Sequence, residues 1–169
     1  VRALALRLGF GRGVRSFDRA LALAAAGVRV PEPRACLRVP GGMLLLTEGL
    51  SAGKDLRALW TAGTGGARWA ELLDAAGLAL ADLHAAGFAH GDCKWSNLLW
   101  NGTQLYLVDL EAVRAVRAAR NRLLPLHSRQ LLDLARYTVD AEELGASPAQ
   151  YSGFMDTYCS AMDCRRELV

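Results

Sequence analysis

The chain has 169 residues, of which 52% are hydrophobic and 22% are charged, and its formal net charge is +3. This composition is that of a globular protein large enough for one well-packed core, and it excludes a disordered chain. No apolar run approaches the ~20 residues that a membrane-spanning helix needs, and four cysteines without a Cys-x-x-Cys pair make a zinc site an unattractive interpretation.

The first predicted elements are a helix and a pair of strands. Ser16 is a candidate N-cap for a helix that reaches Ala26, where Gly27 and the prolines after it end the helix. Residues 35–39 and 43–47 are predicted to form two strands, because a Pro-Gly-Gly turn joins two apolar runs there.

Two further helices are predicted in the middle of the chain. The first is short and covers residues 55–60. A glycine-rich loop over residues 63–66 follows, which we interpret as a connector because no strand precedes it. The second helix covers residues 67–86 and has apolar residues at the spacing of a buried helical face. These expected core residues are Trp69, Leu72, Leu73, Ala76, Leu80 and Leu83.

Residues 90–110 carry the most specific pattern in the chain. They read His-Gly-Asp-Cys-Lys-Trp-Ser-Asn, then Leu-Leu-Trp, an Asn-Gly turn of hairpin type, and a strand that ends in Val-Asp. The pattern places Asp92 and Asn97 five residues apart in a loop, and Asp109 twelve residues after Asn97. This order is typical of the catalytic loop and the metal-binding strand end of protein-kinase-like phosphotransferases, although each piece taken alone is common in turns.

Transfer of a γ-phosphoryl group explains these residue types. The acceptor hydroxyl must be held and relieved of its proton, and magnesium must offset the charge that develops on the phosphate oxygens. We expect Asp92 to hold the hydroxyl as base or positioning group, and Lys94 to place a positive charge beside the phosphate. Asn97 and Asp109 would bind Mg²⁺, which prefers oxygen ligands. His90 is expected to brace the loop.

The sequence after the hairpin is mostly helical. One helix is predicted over residues 128–139, and a last one over residues 148–164, with Ser147 as its N-cap and Pro148 at its first position. The segment between the hairpin and these helices is compact. It leaves no room for a long activation loop, which suits a small-molecule or glycolipid acceptor better than regulation by loop phosphorylation.

Together these segments resemble the bacterial lipopolysaccharide core kinases, kinase-fold enzymes that phosphorylate Kdo or heptose sugars of the inner core. Residues 16–33 are similar to the family's small-lobe helix and the Gly-Val-x-x-Pro-x-Pro step after it, and residues 42–50 to the strand and hinge beside the adenine. Residues 83–92 are similar to the helix end that leads into the catalytic loop. Asp133 resembles the family's Asp that braces this loop from below, with a surface Asp on an amphipathic helix as the alternative.

The resemblance implies an α+β, protein-kinase-like fold. A partial small lobe would cover residues 1–50 and end in the hinge, and a mostly helical large lobe with the catalytic loop would cover residues 51–169. The implied cofactors are ATP and Mg²⁺, with Glu48 and Leu50 at the adenine through backbone groups. No Lys precedes Lys54 and no Gly-rich loop leads to a strand Lys. We therefore expect an N-terminally truncated sequence with little turnover of its own, or a degenerate kinase.

The implied reaction is ATP-dependent phosphorylation of a sugar hydroxyl on the lipopolysaccharide inner core, in the cytoplasm or at the inner face of the inner membrane. A soluble phosphotransferase of the aminoglycoside or choline kinase type, acting on another hydroxyl-bearing small molecule, is the first alternative. It would favour an acidic acceptor cleft, because its substrates are cations. The second alternative is a non-catalytic pseudokinase that binds an anionic lipid or a protein partner.

Basic residues are unevenly distributed along the chain. Residues 1–40 contain eight arginines against two carboxylates, and a second basic cluster has a spacing that would place most of its members on one face of a helix. Such faces can contact an anionic glycolipid or a membrane surface, but most are simply solvated, and we favour the solvated interpretation. Few aromatic residues accompany these arginines and the net charge is only +3, so nucleic acid is not an expected partner. The second cluster is Arg114, Arg117, Arg120 and Arg122.

Overall fold

A computed structural model of the chain describes residues 12–116 and 126–164. Within these ranges helices and short antiparallel strands alternate along the chain. The helices are α1 (Arg12–Ala25), α2 (Leu56–Thr61), α3 (Gly66–Ala85), α4 (Ser128–Glu143) and α5 (Pro148–Ala161). The strands are β1 (Pro33–Val39), β2 (Gly42–Thr47), β3 (Lys54–Asp55), β4 (Phe88–Ala89), β5 (Leu98–Trp100), β6 (Leu105–Leu107) and β7 (Arg114–Ala115). Single 3-10 turns cover Trp95–Asn97 and Leu110–Ala112.

The first helix is longer than its cap signal predicted. It already includes Arg12, so Ser16 lies inside α1 and the prediction that Ser16 is its N-cap is wrong. The reason is that the apolar face starts earlier, because the half-buried Val14 and Phe17 continue the stripe that ends in the fully buried Leu23. The predicted stop is confirmed. Gly27 is left-handed (φ 79°), and the N–H groups that end the helix donate back into its last turn.

The strand pair β1–β2 forms as predicted. The two strands are antiparallel, with Leu37 opposite Leu44, and α1 packs against both of them. A Cβ atom at Gly13 would lie only 3.1 Å from the Cβ of Met43, so helix and sheet approach closely there. The short helix α2 also forms as predicted, and the Asp55 carboxylate caps it by accepting a 2.7 Å hydrogen bond from the backbone N–H of Ala58.

The predicted catalytic loop covers residues 90–97, and the hairpin after it has the predicted strands but a different turn. Leu98 pairs with Leu107 and Trp100 with Leu105, so four residues rather than two connect β5 to β6. Asn101 explains the longer turn, because its side-chain oxygen accepts hydrogen bonds from the backbone N–H groups of the two residues that follow Gly102. Strand β3, which the sequence did not predict, pairs with β5 and extends this hairpin to three strands.

Helices α3 and α5 form the centre of the core. α3 begins and ends within one residue of its prediction, and all six of its expected core residues are buried. The two helices approach most closely at Gly77, where a Cβ atom would lie 2.8 Å from the carbonyl oxygen of Phe154. A 2.6 Å hydrogen bond from the Thr157 hydroxyl to the Asp74 carboxylate joins them at the surface.

The helices at the C-terminal side largely follow their predictions. α4 ends one turn beyond its expected end. α5 begins at Pro148, with Gln150 accepting hydrogen bonds from Ser147, but stops at Ala161.

Arg114 lies on strand β7 and not on a helix, because its segment pairs with β4. The other three arginines of that cluster lie outside the described residues. The division into lobes at residue 50 stays a prediction, and none of the helices in the described ranges has the length and apolarity to cross a membrane.

Candidate active site

Asp133, on α4, is the main support of the loop that carries the predicted catalytic residues. Its carboxylate accepts hydrogen bonds from the backbone N–H groups of His90 (2.6 Å) and Gly91 (2.7 Å), and it is 1% exposed. Gly91 has a φ of 82°, and a Cβ atom there would lie 2.8 Å from the carbonyl oxygen of Ala112, so only glycine fits. The prediction that Asp133 braces the loop is confirmed.

A buried relay extends this support to two more helices. His84, on α3, lies 3.2 Å from the Asp133 carboxylate through Nε2 and 2.6 Å from the Tyr158 hydroxyl of α5 through Nδ1. The carboxylate can only accept, so Nε2 carries the proton and Nδ1 accepts from the tyrosine. Burial lowers the pKa of His84, although the nearby Asp133 opposes that shift. The histidine is therefore neutral near pH 7, and the relay ties α3, α4 and α5 to the loop.

Two other polar residues of α4 hold the ends of the loop. The Gln130 amide donates to the carbonyl oxygens of His84 (3.0 Å) and Phe88 (3.2 Å), just before the loop begins. The Asp140 carboxylate accepts a 2.8 Å hydrogen bond from the backbone N–H of Trp95, near the end of the loop. Sequence reasoning missed both residues. The sequence pattern that could have identified them is the recurrence of polar residues on the inward face of a helix, where apolar residues are usual.

His90 acts as the internal brace that was predicted. Its ring is fully buried, and Nε2 lies 3.1 Å from the carbonyl oxygen of Val108 at the end of the hairpin. A carbonyl only accepts, so Nε2 is the protonated nitrogen and Nδ1 is free to accept from the backbone N–H of Asp92 at 3.4 Å. Burial lowers the pKa of His90, which keeps the ring neutral in this role.

Asp92 lies among three partners that favour its ionised form. Lys94 Nζ is 2.8 Å from Oδ2, the Asn97 amide nitrogen is 3.3 Å from the same oxygen, and Arg136 Nε is 3.7 Å from Oδ1. Burial opposes ionisation, but Lys94, then Arg136, then Asn97 together lower the pKa of Asp92. The hydrogen bond to Asp92 likewise raises the pKa of Lys94. At neutral pH the pair is a carboxylate and an ammonium group, about a third exposed to solvent.

Asn97 and Asp109 come from different segments that are hydrogen-bonded together. The Asn97 amide nitrogen donates to the Asp92 carbonyl (2.9 Å), which leaves its side-chain oxygen for another ligand. The backbone N–H of Val108 donates to the Asn97 carbonyl (3.0 Å), so the strand end reaches the loop. Asp109 is left-handed (φ 60°), an unusual conformation for this residue, and its charge contributes to the raised pKa of Lys94.

The two predicted adenine residues lie at the end of β2, on a separate segment. The backbone N–H of Glu48 donates to the Glu32 carbonyl (2.8 Å), so this donor is already used. Leu50 is half-buried, and its carbonyl accepts from the N–H of Gly53 (3.2 Å). A Cβ atom at Gly53 would lie 3.2 Å from Leu99 of β5, which places this segment against the strand that follows the catalytic loop. Within the part of the chain that the structure describes, no hydrogen bond joins this segment directly to Asp92.

Known proteins that resemble this chain identify its family and its fold. Residues 2–158 match the model of the lipopolysaccharide kinase (Kdo/WaaP) family. The solved structure of WaaP in complex with acyl carrier protein is similar to this chain with a TM-score of 0.65 and 21% identity, over 88% of this chain and 66% of that one. The similarity confirms the α+β, protein-kinase-like fold.

A curated relative from Methanocorpusculum labreanum matches a shorter region. It is a probable bifunctional tRNA threonylcarbamoyladenosine biosynthesis protein, and it is 31% identical over 91 residues, which are 54% of this chain and 16% of the relative. The chain thus spans 66% of WaaP and a small part of the archaeal protein. Because the family model matches nearly the whole sequence, the chain belongs to the lipopolysaccharide kinase (Kdo/WaaP) family.

Proposed function

We propose that the protein is an ATP- and Mg²⁺-dependent kinase that phosphorylates a sugar hydroxyl of the lipopolysaccharide inner core. The observation that carries the proposal is the contact of Asp92 with Lys94 and Asn97, on a loop braced by Asp133, in a chain of this family. An ionised carboxylate beside a cation and a side-chain amide is the kind of arrangement that in-line phosphoryl transfer uses.

Asp92 would orient the acceptor hydroxyl and take its proton. As the hydroxyl oxygen bonds to the γ-phosphorus, the bond from that phosphorus to the bridging oxygen of ADP breaks, and the hydroxyl proton passes to the carboxylate. Lys94, which is hydrogen-bonded to Asp92, would place its charge beside the phosphate oxygens that are being transferred.

Asn97 and Asp109 would hold the metal. An amide oxygen and a carboxylate are the donor type that Mg²⁺ prefers, and two protein ligands suit an ion that keeps water and phosphate in its other positions. When bound, the ion would offset negative charge on the phosphate oxygens. The adenine would meet the carbonyl of Glu48 and the N–H of Leu50, because the N–H of Glu48 is already bonded to Glu32.

We also propose peripheral contact with the inner face of the inner membrane, where a glycolipid acceptor would be found. Arg19 of α1 supports this contact. Burial lowers its pKa, and the positive charges of Arg114 and Arg15 lower it further, whereas Asp18 opposes the shift. Three guanidinium groups of α1 and β7 therefore lie near one another, with one carboxylate beside them. A cluster of this kind favours an anionic surface.

The test is transfer of labelled phosphate from ATP and Mg²⁺ to extracted lipopolysaccharide core by the full gene product. The Asp92→Asn variant should lose about 100-fold or more of the rate, because the base is removed while the shape is kept. Asp82→Asn, an exposed position on α3, is the matched control and should retain the wild-type rate.

Three other outcomes would contradict the proposal. Label that enters an aminoglycoside or choline but not the glycolipid would indicate a soluble acceptor. Equal rates for wild type and Asp92→Asn would remove Asp92 from the reaction. Absence of ATP binding would indicate a pseudokinase that binds a lipid or protein partner.

A further inference from the structure

Arg136 lies on α4 between two residues that hold the catalytic loop, yet it makes no such bond itself. It follows Asp133 by three residues and precedes Asp140 by four. Its Nε is 3.7 Å from Oδ1 of Asp92, and its Nη2 is 4.0 Å from Oδ1 of Asp140. Both distances allow charge attraction but exceed a hydrogen bond. Within the described residues, the five N–H donors of this guanidinium therefore have no close acceptor.

Asp92 thus lies between two cations that differ in how closely they bind it. Lys94 Nζ lies 2.8 Å from Oδ2, whereas Arg136 Nε lies 3.7 Å from Oδ1. The Arg136 side chain is 41% exposed and the Asp92 side chain 32%, so both are accessible to a ligand, and they lie 3.7 Å apart. Because Arg136 is too far from Oδ1 for a hydrogen bond, Oδ1 could accept a hydrogen bond from the acceptor hydroxyl.

A purely structural role does not explain why an arginine occupies position 136. Partly exposed ion pairs at such distances contribute little to stability. The loop backbone is already held by Asp133 at its start and by Asp140 near its end. A planar guanidinium fork with unused donors is instead well suited to a carboxylate or a phosphate, each of which offers two oxygens in matching geometry.

We infer that Arg136 is an acceptor-binding residue, which takes a carboxylate or phosphate group carried by the acceptor sugar close to the hydroxyl that Asp92 holds. The inference rests on the proposed function and narrows it to acidic acceptors. A cationic acceptor of the aminoglycoside or choline type carries no pair of anionic oxygens that this guanidinium could bind. The shared chemistry is a pair of anionic oxygens, and the test separates its two sources.

The experiment measures steady-state kinetics of the full gene product on three forms of one core glycolipid: native, with its carboxyl groups reduced to alcohols, and dephosphorylated. Arg136→Gln should raise the KM for the native acceptor about tenfold or more and leave the KM for ATP within about twofold. Arg136→Lys, which keeps the charge but not the fork, should recover part of the loss. Arg129→Gln, exposed in the first turn of the same helix, is the matched control.

The modified acceptors identify the group that Arg136 binds. If the group is a carboxylate, wild type and Arg136→Gln should have the same KM on the carboxyl-reduced acceptor. If it is a phosphate, they should coincide on the dephosphorylated one. Equal losses on all three acceptors, or a fall in kcat with unchanged KM, would overturn the inference, because Arg136 would then act only through Asp92.

A wild-type protein that transfers no phosphate to any acceptor would contradict the proposed function, and the Arg136 site would then be tested by binding. Calorimetric titration with a sugar acid and with a sugar phosphate is the direct measurement. Binding that Arg136→Gln weakens and Arg129→Gln does not would support the site. Equal affinity in all three proteins, or no binding to wild type, would overturn it.

Discussion

The catalytic loop and the β1–β2 hairpin are stabilised in different ways. The loop is irregular, and carboxylates of α4, some 40 residues further along the chain, accept from its backbone N–H groups. The hairpin makes its hydrogen bonds locally, with one register shift between Pro33 and Ala35, but four of its apolar side chains are 39–47% exposed. The difference indicates that substitutions in the hairpin should be tolerated, whereas the loop depends on a few distant side chains. The four exposed residues are Leu37, Val39, Leu44 and Leu46.

Removal of the loop's main support tests the comparison most strongly. Asp133→Ala leaves the backbone N–H groups of His90 and Gly91 buried without an acceptor and disconnects His84. We expect the free energy of unfolding in urea to fall by about 3–5 kcal/mol. The control Asp82→Ala, exposed on α3, should change it by about 0.5 kcal/mol or less. Similar losses in both variants would contradict the importance given to this brace.

The α3–α5 contact, which supports the relay below the loop, gives the next largest effect. Gly77→Ala places a methyl group 2.8 Å from the Phe154 carbonyl oxygen, and overpacking of this kind costs about 1–3 kcal/mol. Gly153→Ala in the same interface meets only Leu73, at 3.6 Å, and should stabilise the protein by about 0.5–1 kcal/mol through better helix propensity. Thermal and urea unfolding would check the pair. A Gly77→Ala variant as stable as Gly153→Ala would show that the helices can move apart.

Acid should lower the free energy of unfolding because two histidines at the catalytic loop are buried. The folded-state pKa of His84 is lowered by burial, so below about pH 6.5 the unfolded chain binds a proton that the folded chain does not. The free energy of unfolding should therefore fall as the pH drops below that value, by up to about 1.4 kcal/mol per pH unit for this residue. His90, whose pKa is also lowered, adds a slope of the same sign.

The variant His84→Gln tests this pH dependence when its urea unfolding is compared with that of wild type between pH 5 and 7.5. The variant loses the contribution of one histidine, so its stability should depend on pH more weakly than that of wild type. An identical slope in both proteins would mean that His84 titrates alike in the folded and unfolded states.

The hairpin should give the smallest effect. Leu44→Thr replaces a side chain that is 46% exposed with a β-branched residue, and we expect the free energy of unfolding to change by about 0.5 kcal/mol or less. Leu98→Ala, fully buried in β5, is the counterpart from the loop region and should cost about 2–5 kcal/mol. A comparable cost for Leu44→Thr would show that the exposed face is covered by another part of the protein.

The elements that the sequence predicted well depend on local signals. The Gly27 stop, the Pro148 start and the apolar face of α3 each depend on neighbouring residues, and the structure confirms them. The order of Asp92, Asn97 and Asp109 is likewise contained in one short segment. Such patterns can be recognised without knowledge of the packing.

The residues that sequence reasoning missed depend on contacts across the chain. Asp140 meets the loop 45 residues away, and Arg136 approaches Asp92 from the same helix. The apolar pattern of α4 does not identify its inward face either, since Leu132 is 66% exposed. The roles of the polar residues of this helix follow from the fold, which brings them into contact with the backbone of the catalytic loop.

Val108 has a consequence for motion in this protein. Its N–H donates to Asn97 and its carbonyl accepts from His90, so the hairpin end and the catalytic loop are joined in both directions. We therefore expect Asn97 and Asp109 to move together as one rigid piece. Movement of the predicted small lobe about the segment from Glu48 to Gly53 would change access to these two predicted metal ligands and leave the spacing between them unaltered.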